Sequence, residues 1–178
     1  MHITQDRSDA PSLIALFRDS FTASEGAREG HAIGDLVASL LAGTGDDAAQ
    51  VFCDSTPEGL RGAICLTRLW FQDDTRQVHL LSPVAVHPDW QSQGIGQALI
   101  RHAMKSLRTE GADCVFTYGD PAFYGKTGFV HIAMKDAPPP HPLSQPEGWL
   151  INQLAPYPAQ PFSGPSRCAP ALDDPALW

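Results

Sequence analysis

A glycine-rich turn between an apolar run and an amphipathic run is the feature of this sequence best suited to chemistry. Residues 84–90 read Val-Ala-Val-His-Pro-Asp-Trp, and residues 91–96, here called the glycine loop, read Gln-Ser-Gln-Gly-Ile-Gly. Glycines let a backbone approach a bulky group without an intervening Cβ, and the first N–H groups of a helix have no intrahelical partner. The glycine loop therefore predicts a site for a phosphate or pyrophosphate, bound by backbone N–H groups.

Two other nucleotide-binding patterns do not fit this chain. The glycine loop is not a dinucleotide fingerprint, because G-x-G-x-x-G is absent after the strand. Residues 119–127 resemble a P-loop but carry five residues where the motif has four. A P-loop must also open a helix, whereas Gly128 and Phe129 lead into a strand-like run. We therefore exclude a nucleotide triphosphatase.

Helices and strands are predicted ahead of the glycine loop, in an order that would position it. A first short strand at Ile3 is followed by a helix that starts within residues 8–11, with a capping side chain and an early proline. After a polar break at residues 22–30, a second helix carries an apolar stripe formed by Ile33, Leu36, Val37, Leu40 and Leu41. Three strands at residues 49–54, 60–71 and 77–86 then predict an antiparallel meander. Pro83 cannot donate a ladder hydrogen bond, which indicates an edge, a bulge or a splay in the third strand.

The elements after the glycine loop are predicted to complete the sheet. An amphipathic helix that buries Ile95, Leu99, Ala103 and Leu107 ends at Gly111. A buried strand at residues 114–118 is predicted to run parallel to residues 77–86, because a helix connects the two. A turn with one helical turn at residues 119–124 follows, then strands at residues 129–133 and 149–154. The proline-rich residues 156–178 have no periodicity, so we expect an irregular cover with mobile parts.

The composition limits the function classes. A net charge of −8 over 178 residues argues against nucleic-acid binding and slightly favours a cationic partner. No window is long and apolar enough to span a membrane, and the first residues lack the pattern of a signal peptide. Four scattered cysteines without C-x-x-C spacing predict buried free thiols rather than disulfides or a metal site. Together these observations predict a cytoplasmic protein.

The glycine loop and a segment about thirty residues later together resemble the GNAT superfamily of N-acetyltransferases. The glycine loop fits the pattern Gln/Arg-x-x-Gly-x-Gly/Ala of that family's coenzyme A loop, and residues 124–129 look like its Y-x-K-x-G-F segment. Residues 82–88 and 119–124 look like the YhbS-like branch. The resemblance implies an α/β fold of the GNAT acyl-CoA N-acyltransferase type, with a mixed central sheet and helices on both faces. We expect this domain to span residues 1–155, with residues 156–178 as a proline-rich irregular extension of it.

The resemblance implies acetyl-CoA as the acyl donor and assigns residues to it. The backbone of the third strand would pair with the pantetheine arm, and the amides of the glycine loop would bind the pyrophosphate. The implied cofactor-binding residues are Val84, Ala85, Val86, Gln91, Ser92, Gln93, Gly94, Ile95 and Gly96. The splay at Pro83 would leave room for the acyl chain. No metal is expected.

The resemblance implies one catalytic role, and the chemistry of the amine requires a second group. Tyr124 would donate a hydrogen bond, and finally a proton, to the departing thiolate. A base or a water relay is needed for the amine, since an ammonium of pKa about 10.4 loses its proton at pH 7 at a cost of roughly 4.6 kcal/mol. His79 is our candidate base, with Glu25, Glu29 and His31 as alternatives between the first two helices.

The implied reaction is direct transfer of acetyl to a primary amine, of a small molecule or of a protein, in a ternary complex. A non-catalytic acyl-CoA sensor and a transferase for longer acyl chains stay open as alternatives, and a homodimer is compatible with the sequence. One departure affects Tyr124: many family members carry an asparagine and a longer helix before the tyrosine, whereas this chain has Gly119-Asp120-Pro121. We expect Asp120 to cap the turn there.

Overall fold

Four α-helices and eight strands are found in the computed structural model, which describes residues 1–156 and 160–178. In chain order they are β1 (Ile3–Gln5), α1 (Ala10–Glu25), α2 (Ala27–Ala42), β2 (Gln50–Thr56), β3 (Gly59–Phe71), β4 (Val78–Val86), α3 (Ile95–Thr109), β5 (Cys114–Tyr118), α4 (Pro121–Tyr124), β6 (Val130–His131), β7 (Trp149–Gln153) and β8 (Ser166–Arg167). Short 3₁₀ turns join several of them, including Pro88–Trp90 ahead of the glycine loop.

The strands form a mixed sheet in the order β1-β2-β3-β4-β5-β7-β6, with β8 paired to β3. Strands β2 and β3 are antiparallel, as are β5 and β7, whereas β4 and β5 are parallel with Val78 opposite Cys114. Helix α3 supplies the long crossover that a parallel pair requires. The predicted mixed sheet and the predicted parallel pair are therefore confirmed.

Contacts divide the chain into two compact units. The first unit comprises Met1–Leu66 and Ser82–Ala103, and the second comprises Thr67–Leu81 and Met104–Trp178. The first unit contains α1, α2, the glycine loop and the start of α3. The second contains β5, α4, β7 and the C-terminal segment.

Helices α1 and α2 of the first unit are separated by one residue. The predicted break at residues 22–30 is wrong in extent: α1 continues to Glu25, and α2 begins at Ala27 after Gly26 at φ 97°. The residues on either side of Gly26 include alanine, glutamate and arginine, which favour helix, so only Gly26 leaves the helical conformation. Asp9 caps α1 by accepting a hydrogen bond from Ser12 N at 3.2 Å, as the sequence predicts.

Gly30 of α2 lies directly against the backbone of α1. A Cβ at this position would overlap Thr22 Oγ1 and lie 2.6 Å from the carbonyl oxygen of Arg18. A backbone overlap cannot be relieved by a change of rotamer. We therefore expect Gly30→Ala to lower the free energy of unfolding by about 1–3 kcal/mol, measured by urea or thermal denaturation.

Gly34→Ala is the matched control in the same helix. Its Cβ would lie 3.4 Å from Arg18 Cβ, an ordinary contact. Alanine is the better helix former by roughly 0.5–1 kcal/mol, so this variant should be as stable as the wild type or more stable. Equal destabilisation by both substitutions would contradict the assignment of Gly30 to the helix contact.

The second unit has an aromatic core to which the C-terminal segment contributes. Phe116 lies 4.8 Å from Trp149 and 5.2 Å from Phe162, between ring centroids, and Trp178 lies 5.9 Å from Trp149. Trp178 Nε1 donates to the Leu172 carbonyl at 3.0 Å. The sequence did not predict that this segment contains a strand, β8, which pairs with β3, or that its aromatic side chains pack in the core. Residues 157–159 of the segment lie outside the described residues.

All four cysteines are free thiols and buried, as predicted. Burial raises the pKa of Cys65 to about 12 and, as the largest of several influences, that of Cys114 to about 12. Within residues 1–156 and 160–178, no helix has the length and apolar character needed to cross a membrane.

Candidate active site

The end of β4 and the turn after it lead the chain into the glycine loop. The Val86 carbonyl accepts hydrogen bonds from Ser20 Oγ at 2.9 Å and Gln91 Nε2 at 3.1 Å. Because a carbonyl oxygen has two lone pairs, this acceptor is filled. An added strand would therefore use other backbone groups of residues 84–86. Trp90 N donates to the His87 carbonyl at 2.8 Å, which closes the 3₁₀ turn.

The glycine loop adopts a backbone that gathers N–H groups at the start of α3. Ser92 has φ 59° and Gly94 has φ 77°. A non-glycine residue in the left-handed region is uncommon and is concentrated at functional sites. The Gly94 carbonyl accepts the bond from Ala98 N at 3.0 Å, so Gly94 is the residue that caps α3.

The described hydrogen bonds supply no acceptor for the backbone N–H groups of residues 92–97. The prediction is wrong for the Gln91 amide, because its N–H already donates to the Pro88 carbonyl at 3.3 Å. The N–H groups of residues 92–97 lie at the N-terminus of a 15-residue helix, where the helix dipole favours negative charge. Gln97, at the third position of α3, belongs to this donor cluster and was missed by the sequence analysis. The signal that could have found it is the rule that the first helical N–H groups are unpaired.

Gly62 on β3 lies beneath the first turn of α3. A Cβ there would be 3.0 Å from Ile95 Cγ2 and 3.1 Å from Leu99 Cδ1. The helix therefore approaches the strand closely at the level of the glycine loop. The predicted buried face of α3 is confirmed, with Ile95 at 3% and Leu99 at 0% exposure.

Tyr124 ends α4, which Asp120 caps by accepting from Ala122 N at 2.8 Å, as predicted. Its ring makes edge contacts with Phe123 and Phe129 at centroid distances of 5.0 and 5.7 Å. Gly119 lies against the ring, since a Cβ there would be 2.7 Å from Tyr124 Cε2.

Burial is the main influence on the Tyr124 hydroxyl. It raises the pKa above the usual value of 10.0, and the Thr117 hydroxyl offsets only part of that. Tyr124 is therefore protonated throughout the physiological range. Only the protonated phenol can act as a proton donor.

His79 lies on β4, opposite Val115 of β5. It is 6% exposed, and its Nδ1 has no hydrogen-bond partner among the described residues. Burial, with a smaller contribution from the positive charge of Arg68, lowers the pKa of His79 to about 4. The side chain is therefore neutral at pH 7, able to accept a proton but weakly basic.

The lowered pKa of His79 predicts a pH dependence of stability. His79 takes up a proton near pH 6.5 in the unfolded chain but only near pH 4 in the folded chain. The contribution of neutral His79 to the free energy of unfolding is therefore complete above pH 6.5 and is lost as the pH falls toward 4. Between pH 7 and 5 the free energy of unfolding should fall by about 2 kcal/mol more in the wild type than in His79→Leu. Urea titrations at both pH values measure this, and parallel profiles would contradict it.

The alternative base candidates lie in the first unit. Glu25 is the last residue of α1, and Glu29 and His31 lie in the first turns of α2. His31 Nδ1 is 2.6 Å from the Ala27 carbonyl oxygen. No group of metal-ligating side chains occurs in the part of the chain that the structure describes.

Nine of the eleven predicted site residues belong to the first unit and two to the second. The nine are the cofactor-binding candidates at residues 84–86 and 91–96. His79 and Tyr124 belong to the second unit, on β4 and α4.

Comparisons with known proteins agree with this architecture. Residues 48–131 match a family model described as an acetyltransferase (GNAT) domain. The uncharacterized N-acetyltransferase YjhQ of Escherichia coli (strain K12) is 34% identical over 175 residues, covering 94% of this chain and 91% of the relative.

Two solved structures share the fold. The GNAT family N-acetyltransferase YhbS from Escherichia coli, in complex with CoA, superposes with a TM-score of 0.76 at 23% identity, covering 97% of this chain and 92% of that one. A GNAT family acetyltransferase from Brucella melitensis in complex with acetyl-CoA gives 0.74 at 22% identity, covering 97% of both chains. The resemblance to YhbS is confirmed by sequence, since the uncharacterized N-acetyltransferase YhbS of Escherichia coli (strain K12) is 31% identical over 131 residues, covering 72% of this chain and 72% of the relative. On the identity and coverage of YjhQ, together with the family model, this chain belongs to the GNAT family of N-acetyltransferases.

Proposed function

We propose that this protein transfers an acetyl group from acetyl-CoA to a primary amine by direct attack in a ternary complex. The observation that carries the proposal is the cluster of unpaired N–H groups at residues 92–97, at the N-terminus of α3. A pyrophosphate is the anion that such a cluster suits. The structural relatives are described in complex with CoA and with acetyl-CoA, which supports the same donor here.

The donor cluster supplies part of the affinity that acetyl-CoA needs. Each charge-assisted hydrogen bond to a phosphate oxygen contributes about 1.5–3 kcal/mol, so three or four give roughly 4.5–12 kcal/mol. Micromolar binding corresponds to a net value of about 8 kcal/mol after the cost of association, so the pantetheine contacts must supply the rest. Ser92, Gln93, Gly94, Ile95 and Gly96 are proposed to supply them, with Gln97 in addition. The backbone of Val84, Ala85 and Val86 is proposed to contact the pantetheine arm, and the Gln91 side chain to hold the end of β4.

Tyr124 is proposed as the proton donor to the leaving group. The amine nitrogen bonds to the thioester carbonyl carbon, the carbon–sulfur bond breaks, and sulfur leaves as a thiolate. A thiol of pKa about 8.5 is a tolerable leaving group, and a phenol is a weaker acid than that thiol. Tyr124 therefore acts first as a hydrogen-bond donor and completes proton transfer late.

His79 is proposed as an acceptor in a proton relay rather than as a base that acts alone. Direct transfer from an ammonium of pKa about 10.4 to an imidazole of pKa about 4 is uphill by about 9 kcal/mol. His79 also lies four positions before Pro83, about 13 Å along an extended strand. Turnover at the wild-type rate in His79→Leu would remove His79 from the mechanism.

A covalent acyl-enzyme has little support from the cysteines. All four are buried, and for Cys65, Cys114 and Cys168 burial is the largest influence that raises the thiol pKa. A nucleophilic cysteine needs the opposite, an accessible thiolate. The four buried thiols also suit the reducing conditions of the cytoplasm, where we propose that the protein acts.

Calorimetric titration with acetyl-CoA tests the proposal, with ATP as the control for general affinity to nucleotides. Saturable micromolar binding of acetyl-CoA, and none of ATP, is the expected result. No binding of acetyl-CoA to folded protein would refute the proposal. Competition with longer acyl-CoA thioesters tests the alternative of a different acyl chain. The net charge of −8 favours a cationic amine as acceptor.

A further inference from the structure

An arginine far from the glycine loop in sequence contacts the turn that precedes it. The Arg61 guanidinium lies over the Trp90 ring, 5.3 Å from its centroid, and the Arg61 carbonyl accepts a hydrogen bond from His87 N at 2.8 Å. His87 and Trp90 begin and end the 3₁₀ turn ahead of the glycine loop. Arg61 therefore holds this turn through both its backbone and its side chain.

The side chain of Arg61 is itself fixed by a buried carboxylate. Asp54 on β2 is 0% exposed, and its Oδ2 lies 2.6 Å from an Arg61 terminal nitrogen. Its other oxygen accepts a hydrogen bond from His2 N at 2.8 Å. Because Asp54 neutralises the guanidinium at short range, Arg61 is suited to position the turn rather than to bind an anion directly.

A β-bulge explains how Arg61 reaches Trp90. Asp54 pairs with Gly62 and Ser55 pairs with Leu60, so Arg61 has no Cα partner on β2. Bulges redirect a side chain and are common beside active sites. The next residue, Gly62, is the one that contacts Ile95 and Leu99 at the start of α3. The dipeptide Arg61-Gly62 thus supports the glycine loop on both sides.

We propose that Arg61 is a positioning residue: paired with Asp54 and in contact with Trp90, it sets the geometry of the glycine loop for the CoA pyrophosphate. The proposal rests on the proposed function. A planar guanidinium stacks on an aromatic ring in a way that an ammonium does not, so lysine should replace arginine only in part.

Calorimetry with acetyl-CoA separates positioning from folding. A misfolded fraction lowers the number of sites per chain, whereas a displaced loop raises Kd at full stoichiometry. Two variants avoid leaving a buried charge unpaired: Trp90→Leu, and the double variant Asp54→Asn with Arg61→Met. Each should raise Kd about tenfold or more, the effect of roughly one lost charge-assisted bond. Arg61→Lys should fall between them and the wild type.

Arg167→Met is the matched control, because it removes another Arg–Trp stack, 4.0 Å from Trp70 in the second unit. Its Kd should equal that of the wild type. Failure of the wild type to bind acetyl-CoA would overturn the proposed function instead. The role of Arg61 would be overturned if the wild type binds acetyl-CoA and both Trp90→Leu and the double variant keep the wild-type Kd, with or without a reduced stoichiometry.

Discussion

Gly94→Glu should weaken acetyl-CoA binding by at least about 100-fold, which corresponds to roughly 3 kcal/mol. The substitution puts a carboxylate where unpaired N–H groups of residues 92–97 are proposed to face a pyrophosphate. It also places a side chain on a residue with φ 77°, which favours glycine. Titration calorimetry with acetyl-CoA measures the effect, and Gly96→Glu should behave in the same way.

Two control variants show whether the loss of binding in Gly94→Glu comes from the charge at this position or from backbone strain and destabilisation. Gly111→Glu has a similar φ of 88° and, like Gly94, no atom within 4 Å of an added Cβ, but it lies beyond the C-terminal end of α3. It should bind acetyl-CoA as the wild type does. Gly94→Lys keeps the strain and reverses the charge, so it should bind more tightly than Gly94→Glu. Normal binding by a folded Gly94→Glu protein would mean that the glycine loop is not the pyrophosphate site.

Tyr124→Phe should lower kcat by about 10–100-fold and leave the Kd of acetyl-CoA nearly unchanged, a magnitude typical of one acid–base group. Phenylalanine keeps the ring contacts with Phe123 and Phe129 and removes only the hydroxyl. Steady-state kinetics with an accepted amine, combined with calorimetry, measure both quantities. Because burial raises the Tyr124 pKa above 10.0, the wild-type rate should not fall between pH 7 and 9 through loss of this proton.

Tyr118→Phe is the matched control. Tyr118 lies at the end of β5, and its hydroxyl is 2.8 Å from Ser144 Oγ and accepts from Gln145 N at 2.8 Å. Loss of the Tyr118 hydroxyl should lower the free energy of unfolding by about 1 kcal/mol and leave kcat at the wild-type value. An undiminished kcat in Tyr124→Phe would remove Tyr124 from the mechanism and leave its phenol a purely structural role.

Features set by local pattern were predictable from the sequence. The bounds of β5, the buried face of α3 and the parallel pairing of β4 with β5 follow from apolar periodicity and from the helix between the two strands. The glycine loop could be singled out because glycines weaken the start of a helix and are therefore informative there. The predicted strand at residues 129–133 is wrong in extent, since only Val130–His131 pairs with β7.

What the sequence could not supply comes from contacts between distant residues. Arg61 reads as an ordinary strand residue, and only the bulge opposite Asp54 and Ser55 directs it to Trp90. The weak basicity of His79 depends on burial in β4, which no spacing reveals. Phe162 and Trp178 lie in a proline-rich segment without periodicity, and their places in the core are set by aromatic partners elsewhere.

The burial of all four cysteines makes the reaction easy to follow. Each turnover releases one free CoA thiol, which an aromatic disulfide reagent reports as a colour change. Such reagents react with thiolates that solvent can reach, whereas the protein's own thiols are buried, with the pKa of Cys65 and that of Cys114 raised to about 12. Folded enzyme should therefore give almost no background in a continuous thiol assay. Unfolded chains would expose four reactive thiols each, so the same reagent can count the fraction of any variant that has failed to fold.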